Sequence, residues 1–404
     1  MLKRLYLTLA ALLAFAATAA AQPKYVNPTG KEFPILAWYS ILGDGYITPE
    51  RYAELREAGF NISFSHFTEE DEIADALKAC RGSGVKLMLT CKELESSTAE
   101  CVARFKDDPS VAGWFLRDEP ITADFDSLRQ FRDRVYAADS SHLVYLNLFP
   151  SIVPAEALQA DSYEDYVRRF VSEVALPQIS YDFYPIVDDE GKIYARPQFY
   201  ENLEVARKVS REQGMPFWAF CLATAHKPYP VPTEAHLRFE AYSALAYGAQ
   251  CIQHFTYATP GREVWNFHNA PIDSIGQRTD VYYKVQRLNR DIQSLSKVFL
   301  GADAVEVGHT GSVIPQGTRR LETLPEKFGS LESDGEGLLV SRLCNGGRSY
   351  VMLVNRSIDS AQNVEFTLEK PLRRIVPCGK VQRLRAGAHK ITLEPGDFAL
   401  FRVK

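Results

Sequence analysis

The chain has 404 residues, 46 of them Lys or Arg and 51 Asp or Glu, for a formal charge of −5, with 46% hydrophobic and 24% charged residues. That balance excludes a disordered chain, a coiled coil and a collagen-like fibre; the weak acidity, without Lys/Arg blocks, argues against nucleic acid, whose phosphates are met by a basic surface. A neutral small molecule or sugar is the better partner, and the length suits an α/β barrel of about 250 residues with one small further domain.

Lys3 and Arg4 precede an apolar run from Leu5 to Ala21 that ends in Ala19-Ala20-Ala21. This reads as a signal peptide cleaved after Ala21, because the run falls short of the about 20 residues a spanning helix needs and finishes in small residues. The expected location is secreted or periplasmic, with no membrane attachment after cleavage. Export permits disulfides, but seven cysteines are an odd number spread thinly over a large chain. Cys80, Cys91 and Cys101 are close enough for one bridge and Cys344 with Cys378 for another, while buried free thiols explain them equally well. No Cys/His cluster has zinc-site spacing, so neither a metal nor a cofactor is expected.

From Phe33 onward short apolar runs alternate with amphipathic stretches, the mark of βα units and a parallel sheet. Strands are expected at residues 34–39, 61–66, 86–90, 111–117, 143–148, 178–183, 216–222 and 251–257. Helical segments at 49–58, 69–83, 124–138, 163–175, 199–213 and 233–247 lie between them. Thr48-Pro49 places an N-cap before a first-turn proline, and Gly59, Gly82 and Gly214 follow helix ends. Eight strands alternating with helices predict an α/β fold of the (β/α)8 TIM-barrel class. The absence of G-x-G-x-x-G after the first strand weakens a dinucleotide-binding alternative. After a helix at 280–300, short strands at 337–342, 349–355, 362–368, 389–393 and 398–403 are separated by Asp334-Gly335, Asn345-Gly346-Gly347 and Pro395-Gly396-Asp397. The expected organisation is a signal peptide (1–21), a barrel (22–302) and a small antiparallel β-sandwich (303–404).

A barrel keeps its catalytic groups at the C-terminal ends of its strands. The fourth strand ends in Gly113-Trp114-Phe115-Leu116-Arg117-Asp118-Glu119-Pro120, two carboxyl groups beside an arginine directly after an apolar run. Desolvation and a neighbouring negative charge both raise a carboxyl pKa, which is what a general acid near neutral pH needs. Alternation puts Gly113, Phe115, Arg117 and Glu119 on one face, with Gly113 leaving room deep in the barrel. Glu119 is therefore the expected acid, and Asp118 an orienting or structural group. An Asp-Glu-Pro can equally open a helix; its place on strand four favours the functional reading.

Glu119 at the end of strand four, with the sandwich sequences Tyr350-Val351-Met352-Leu353-Val354-Asn355-Arg356 and Pro395-Gly396-Asp397-Phe398-Ala399-Leu400-Phe401, resembles the large barrel-fold clan of retaining glycoside hydrolases, near its β-galactosidase-like branches. The resemblance spans nearly the whole mature chain and implies a Glu acid at this strand end, usually preceded by Asn, where this chain has Asp118. It also implies a nucleophilic Glu at the end of strand seven, but Phe217 to Lys227 contains no carboxylate. Glycosidases of the common kind need two carboxyl groups, about 5–5.5 Å apart for retention and about 6.5–9.5 Å apart for inversion. The best remaining candidate is Asp182 in Ser180-Tyr181-Asp182-Phe183-Tyr184-Pro185, with Ser180 and Tyr184 on the same face by alternation. Two strands from Glu119, it suits a base acting through water and suggests inversion, with a direct nucleophile still open and a purely structural Asp about as probable a priori. Glu93 and Glu263 are weaker candidates on loops.

Sugar sites need flat apolar faces rimmed by polar groups. Trp38, Tyr39, His66, Tyr184, His226, His254, Tyr257, Trp265 and His268 lie at strand ends or in loops, whereas Trp114 and Trp218 are assigned to core packing. Tyr39, Tyr184, Tyr257 and Trp265 are the expected stacking residues, and His66 and His254 the expected partners of sugar hydroxyls, with Arg117 and Asp118 beside them. The long segment 258–279, carrying Arg262, Trp265, Asn266 and His268, is expected to wall the site. Two readings follow: a glycoside hydrolase acting on a poly- or oligosaccharide through Glu119 and Asp182, or a noncatalytic carbohydrate-binding protein on the same barrel. An esterase has little support, since no G-x-S-x-G occurs.

Overall fold

The structure is a computed structural model that describes residues 23–404 except Asp44, Arg262 and Glu263. The expected signal peptide, Arg262 and the candidate acid Glu263 lie outside the described residues.

Eight parallel strands run β1 (Ile35–Trp38), β2 (Ile62–Phe64), β3 (Lys86–Leu89), β4 (Val111–Asp118), β5 (Leu143–Asn147), β6 (Ile179–Tyr181), β9 (Phe217–Leu222) and β10 (Cys251–Phe255). Their order is β5-β4-β3-β2-β1-β10-β9-β6, and a parallel bridge between Leu148 and Tyr181 joins the two ends. This is the expected (β/α)8 barrel. The strands are near-continuous apolar runs because both faces are covered, the inner by side chains and the outer by helices. Inside, Trp38 sits among the rings of Phe64 (4.3 Å), Phe220 (5.3 Å) and Phe115 (5.5 Å), and Tyr25 meets Trp218 edge-on at 6.4 Å from the N-terminal side. Trp218 is therefore core, as expected. Trp114, also core, lies on the outer face and donates its indole N–H to Asp139 at 2.9 Å.

Gly113 has a different purpose from the one its sequence position suggested. A Cβ there would lie 2.2 Å from the carbonyl oxygen of Leu143. The glycine admits the backbone of β5, not bulky side chains in the barrel interior.

A hairpin absent from the sequence reading, β7 (Ile186–Asp189) with β8 (Lys192–Ala195), follows the sixth barrel strand. It is tied to the loop after β9 by the Asp188 N–H donating to the Pro228 carbonyl at 2.8 Å. Beyond the helix Asp280–Ser294, a six-stranded sheet has the order β11 (Asp303–His309), β13 (Leu338–Asn345), β14 (Arg348–Asn355), β19 (Phe398–Arg402), β16 (Leu372–Ile375) and β17 (Val381–Leu384). A three-stranded sheet of β12 (Phe328–Ser333), β15 (Gln362–Leu368) and β18 (Gly387–Leu393) packs against it through Phe328, Leu353, Phe366, Leu393 and Phe401. This sandwich docks on the helical flank of the barrel. Phe398 stacks on Tyr242 at 4.3 Å, and the Tyr247 hydroxyl meets the Nε2 of His309 at 2.9 Å.

All seven cysteines are unbridged, although the Cys91 and Cys101 sulfurs lie 3.7 Å apart. Among the described residues no helix is long and apolar enough to cross a membrane.

Candidate active site

The end of β4 is bent by its pairing with β5. Phe115 pairs with Tyr145 and Asp118 with Asn147, so three steps on β4 span two on β5. Such a bulge re-aims side chains. Asp118, which simple alternation sent to the opposite face from Phe115, now lies beside Asn147 and accepts a hydrogen bond from its Nδ2 at 3.2 Å. Arg117 is displaced from the expected inward face: its guanidinium lies 3.7 Å from Asp124 at the start of the next helix. Glu119 then takes a left-handed conformation (φ 47°) while its N–H donates to the Asn147 carbonyl at 2.8 Å. A non-glycine residue at positive φ costs of order 1–3 kcal/mol and tends to mark functional positions.

Asp182 follows β6 and accepts from the same Asn147 Nδ2 at 2.8 Å. Glu119 and Tyr184 also lie near it and influence its ionisation. Three carboxyl groups from two strands therefore meet at one mouth around one amide. Burial, then the charge of Asp118, pushes the Glu119 carboxyl up to about 7. Asp118 has a solvent-exposed rim but is walled on its other sides, and this desolvation raises it to about 6 against the opposing pull of Asn147. Asp182 is also raised, by burial and then by the charges of Glu119 and Asp118. The protons belong to the cluster as a whole.

Asp182 opens to the same mouth as Glu119, and the two carboxyl groups influence each other's ionisation.

The walls divide the other candidates. Tyr39, itself at φ 46°, is 36% exposed at the rim, with its ring 5.2 Å from that of His66, also exposed. Burial and then the nearby charge of Asp118 raise the Tyr39 phenol, which locates it at the carboxyl cluster. Tyr184 is buried between Phe255 (5.5 Å) and Tyr229 (5.8 Å). Trp265 is 57% exposed on the long loop, whose backbone accepts the Lys227 N–H at 3.2 Å.

Two expected residues face away. His254 is fully buried on the outer face of β10, its Nε2 3.0 Å from Asn289 and its ring against Phe60. Its neighbours in sequence, Gln253 and Phe255, point inward instead. Tyr257 is likewise buried, between Phe60 and Tyr282. Neither can meet a ligand at the mouth. Glu93 sits past β3 beside Lys92 at 3.7 Å, outside the carboxyl network.

The sequence reading missed Asn147, Tyr229, Phe255 and Phe267. Alternation along Leu143, Tyr145 and Asn147 would have found the first. The rings of His226, Tyr229, Phe255 and Phe267 pack together within 6.0 Å, but only loop geometry brings them there.

Among the described residues no group of three or more His, Cys, Asp or Glu side chains is arranged to hold a metal ion. A cavity of about 560 Å³ lies at the opposite end of the barrel, lined by Tyr25, Phe217 and Gln250. The charged groups in its lining are engaged: Arg211 pairs with Asp303 at 2.7 Å and Arg207 donates to the Ala304 carbonyl at 2.8 Å. Barrel chemistry sits at the other face.

No protein-family model and no curated protein matches the chain in sequence. Solved structures do match it. A catalytic mutant of Gan42B, a GH42 β-galactosidase from G. stearothermophilus, aligns with TM-score 0.62 at 9% identity, over 94% of this chain and 99% of its own. The β-galactosidase of Bacillus circulans sp. alkalophilus aligns with TM-score 0.61 at 10% identity, over 92% and 99%. The fold is one they share. Against the β-galactosidase of the psychrophilic Marinomonas ef1, the match has TM-score 0.49 and 10% identity, covering 65% of this chain and spanning 60% of that protein's length.

Proposed function

We propose that the protein is an exported glycoside hydrolase that cleaves an O-glycosidic bond in a neutral poly- or oligosaccharide, with Glu119 as proton donor. The observation that carries this reading is the meeting of Glu119, Asp118 and Asp182 at the C-terminal mouth, with the Glu119 carboxyl raised to about 7. An acid of that strength is still substantially protonated near neutral pH, where a general acid works best. Glu119 gives its proton to the glycosidic oxygen as the bond to the anomeric carbon breaks; a water then adds to that carbon and its proton passes to the carboxyl cluster, which restores the acid. Asp118, open to water at its rim, faces the positive charge that develops on the sugar ring. Asp182 is the second carboxyl group at the mouth. Tyr39 and Trp265 are proposed to stack on sugar faces, with His66 beside them. The charged start Lys3-Arg4 and the apolar run after it support export.

The missing carboxylate on the seventh barrel strand favours a second reading, a noncatalytic carbohydrate-binding protein whose aromatic walls hold a glycan. A panel of plant, algal and host glycans with aryl glycosides separates the two. The first reading predicts new reducing ends from at least one of them, absent with Glu119→Gln. Binding by both proteins with no product from either would establish the second.

A further inference from the structure

Beneath the carboxyl cluster runs a buried hydrogen-bond chain. At the mouth the Asn147 Nδ2 donates to Asp118 at 3.2 Å and to Asp182 at 2.8 Å, the end of the amide that an ionised carboxyl group requires. Its Oδ1 then accepts from Ser180 Oγ at 2.9 Å, and the Ser180 oxygen, which is also 3.4 Å from the Tyr145 hydroxyl, accepts from Gln253 Nε2 at 2.9 Å. The Gln253 Oε1 accepts from the Tyr145 hydroxyl at 2.7 Å. These three residues on β5, β6 and β10, all buried, match an amide whose donor end is turned to the mouth.

We propose that Asn147 is a positioning residue that couples Asp118 to Asp182, and that the Tyr145–Gln253–Ser180 chain locks its amide so that the ionisation of the carboxyl cluster is set from inside the barrel. This rests on the proposed function for its effect on turnover, but not for its effect on the cluster itself. A carboxylate that accepts a hydrogen bond is favoured over its neutral form, and one amide serving two carboxyl groups favours ionisation of either.

The other groups facing the cluster are the phenols of Tyr39, Tyr145, Tyr163, Tyr166, Tyr184 and Tyr229, every one raised by burial, and the imidazole of His66, lowered by burial, whose ring lies 5.2 Å from that of Tyr39. Arg117, the cation on the same strand, is turned to Asp124.

The test is the pH profile of Asn147→Ala, Ser180→Ala and the double variant, using an aryl glycoside that the wild type turns over. In Asn147→Ala the acid limb of kcat/KM is expected to move up by about one pH unit, a tenfold loss on the acid side with a much smaller change at the optimum. Ser180→Ala frees the amide to turn and should move the same limb in the same direction. The double variant should shift no further than Asn147→Ala alone. Equal loss at every pH, or shifts that add, would overturn the proposal.

A second series needs no substrate and stands if no turnover is found. Because the carboxyl pKa values are raised in the folded state, their contribution to stability is present at low pH and lost as pH rises through them. Without Asn147 that loss is larger, so the Tm of the variant should fall more steeply than that of the wild type between pH 4 and 8. Parallel curves would also overturn the proposal. Should Asn147→Ala fail to fold, Ser180→Ala carries both measurements.

Discussion

Glu119→Gln is expected to lower turnover of a susceptible glycan by about 10²–10⁴-fold while making the protein more stable at neutral and alkaline pH. The two effects share a cause. The Glu119 carboxyl is raised from its ordinary 4.5 to about 7 by burial and then by Asp118, so the folded protein holds that proton more tightly than the unfolded chain. Its contribution to stability is fully present below about pH 4.5 and is lost as pH rises to about 7. Above that, the wild type carries a desolvated negative charge that glutamine does not. The expected gain is roughly 1–3 kcal/mol at pH 8, with none at pH 4. Thermal melts of both proteins across that range check it. A variant equally stable at both pH values, or less stable at pH 8, would mean that Glu119 is not held in a desolvated site. Active sites commonly give up stability in this way.

Gly113→Ala is expected to cost the most stability of any conservative change near the site. The added carbon would sit 2.2 Å from the Leu143 carbonyl oxygen, and that oxygen belongs to backbone that cannot swing aside. Strands β4 and β5 have to part at the start of the ladder whose far end sets Asp118 against Asn147. A loss of about 2–4 kcal/mol in denaturant unfolding is predicted, together with loss of turnover at all pH values, because the clash displaces the acid. An alanine tolerated within about 0.5 kcal/mol would show that the strands do not approach so closely.

The barrel was legible because its signal is redundant. Each of the eight barrel strands falls on or within two residues of its expected run, since buried parallel strands read as apolar runs bounded by capped helices. The hairpin at Ile186–Asp189 and Lys192–Ala195 was not, because its strands are short and charged around Glu190-Gly191. Strands such as β11, β12 and β17 were missed in the sandwich for similar reasons: edge and near-edge strands carry polar residues that mask alternation.

At the site, residue identity was legible and direction was not. Glu119 and Asp182 could be named because acids directly after apolar strands are costly without a purpose. The side each one faces depends on the β4 bulge and on the left-handed backbone at Glu119, both consequences of pairing with β5. His254 was named for its strand-end position, but it is one residue from the inward-facing Gln253 and so turns outward. Asn147, which alternation along Leu143 and Tyr145 turns inward, was passed over because it carries no charge, although here it meets two carboxyl groups.

The most direct test of Glu119 as proton donor is the dependence of Glu119→Gln on the leaving group, measured with a pair of substrates differing only in that group. A dinitrophenolate departs without a proton, whereas an alkoxide does not. The variant is predicted to retain most of its kcat/KM on the dinitrophenyl glycoside and to lose about 10²-fold or more on the alkyl glycoside. An equal loss on both would contradict the assignment of Glu119 as the acid.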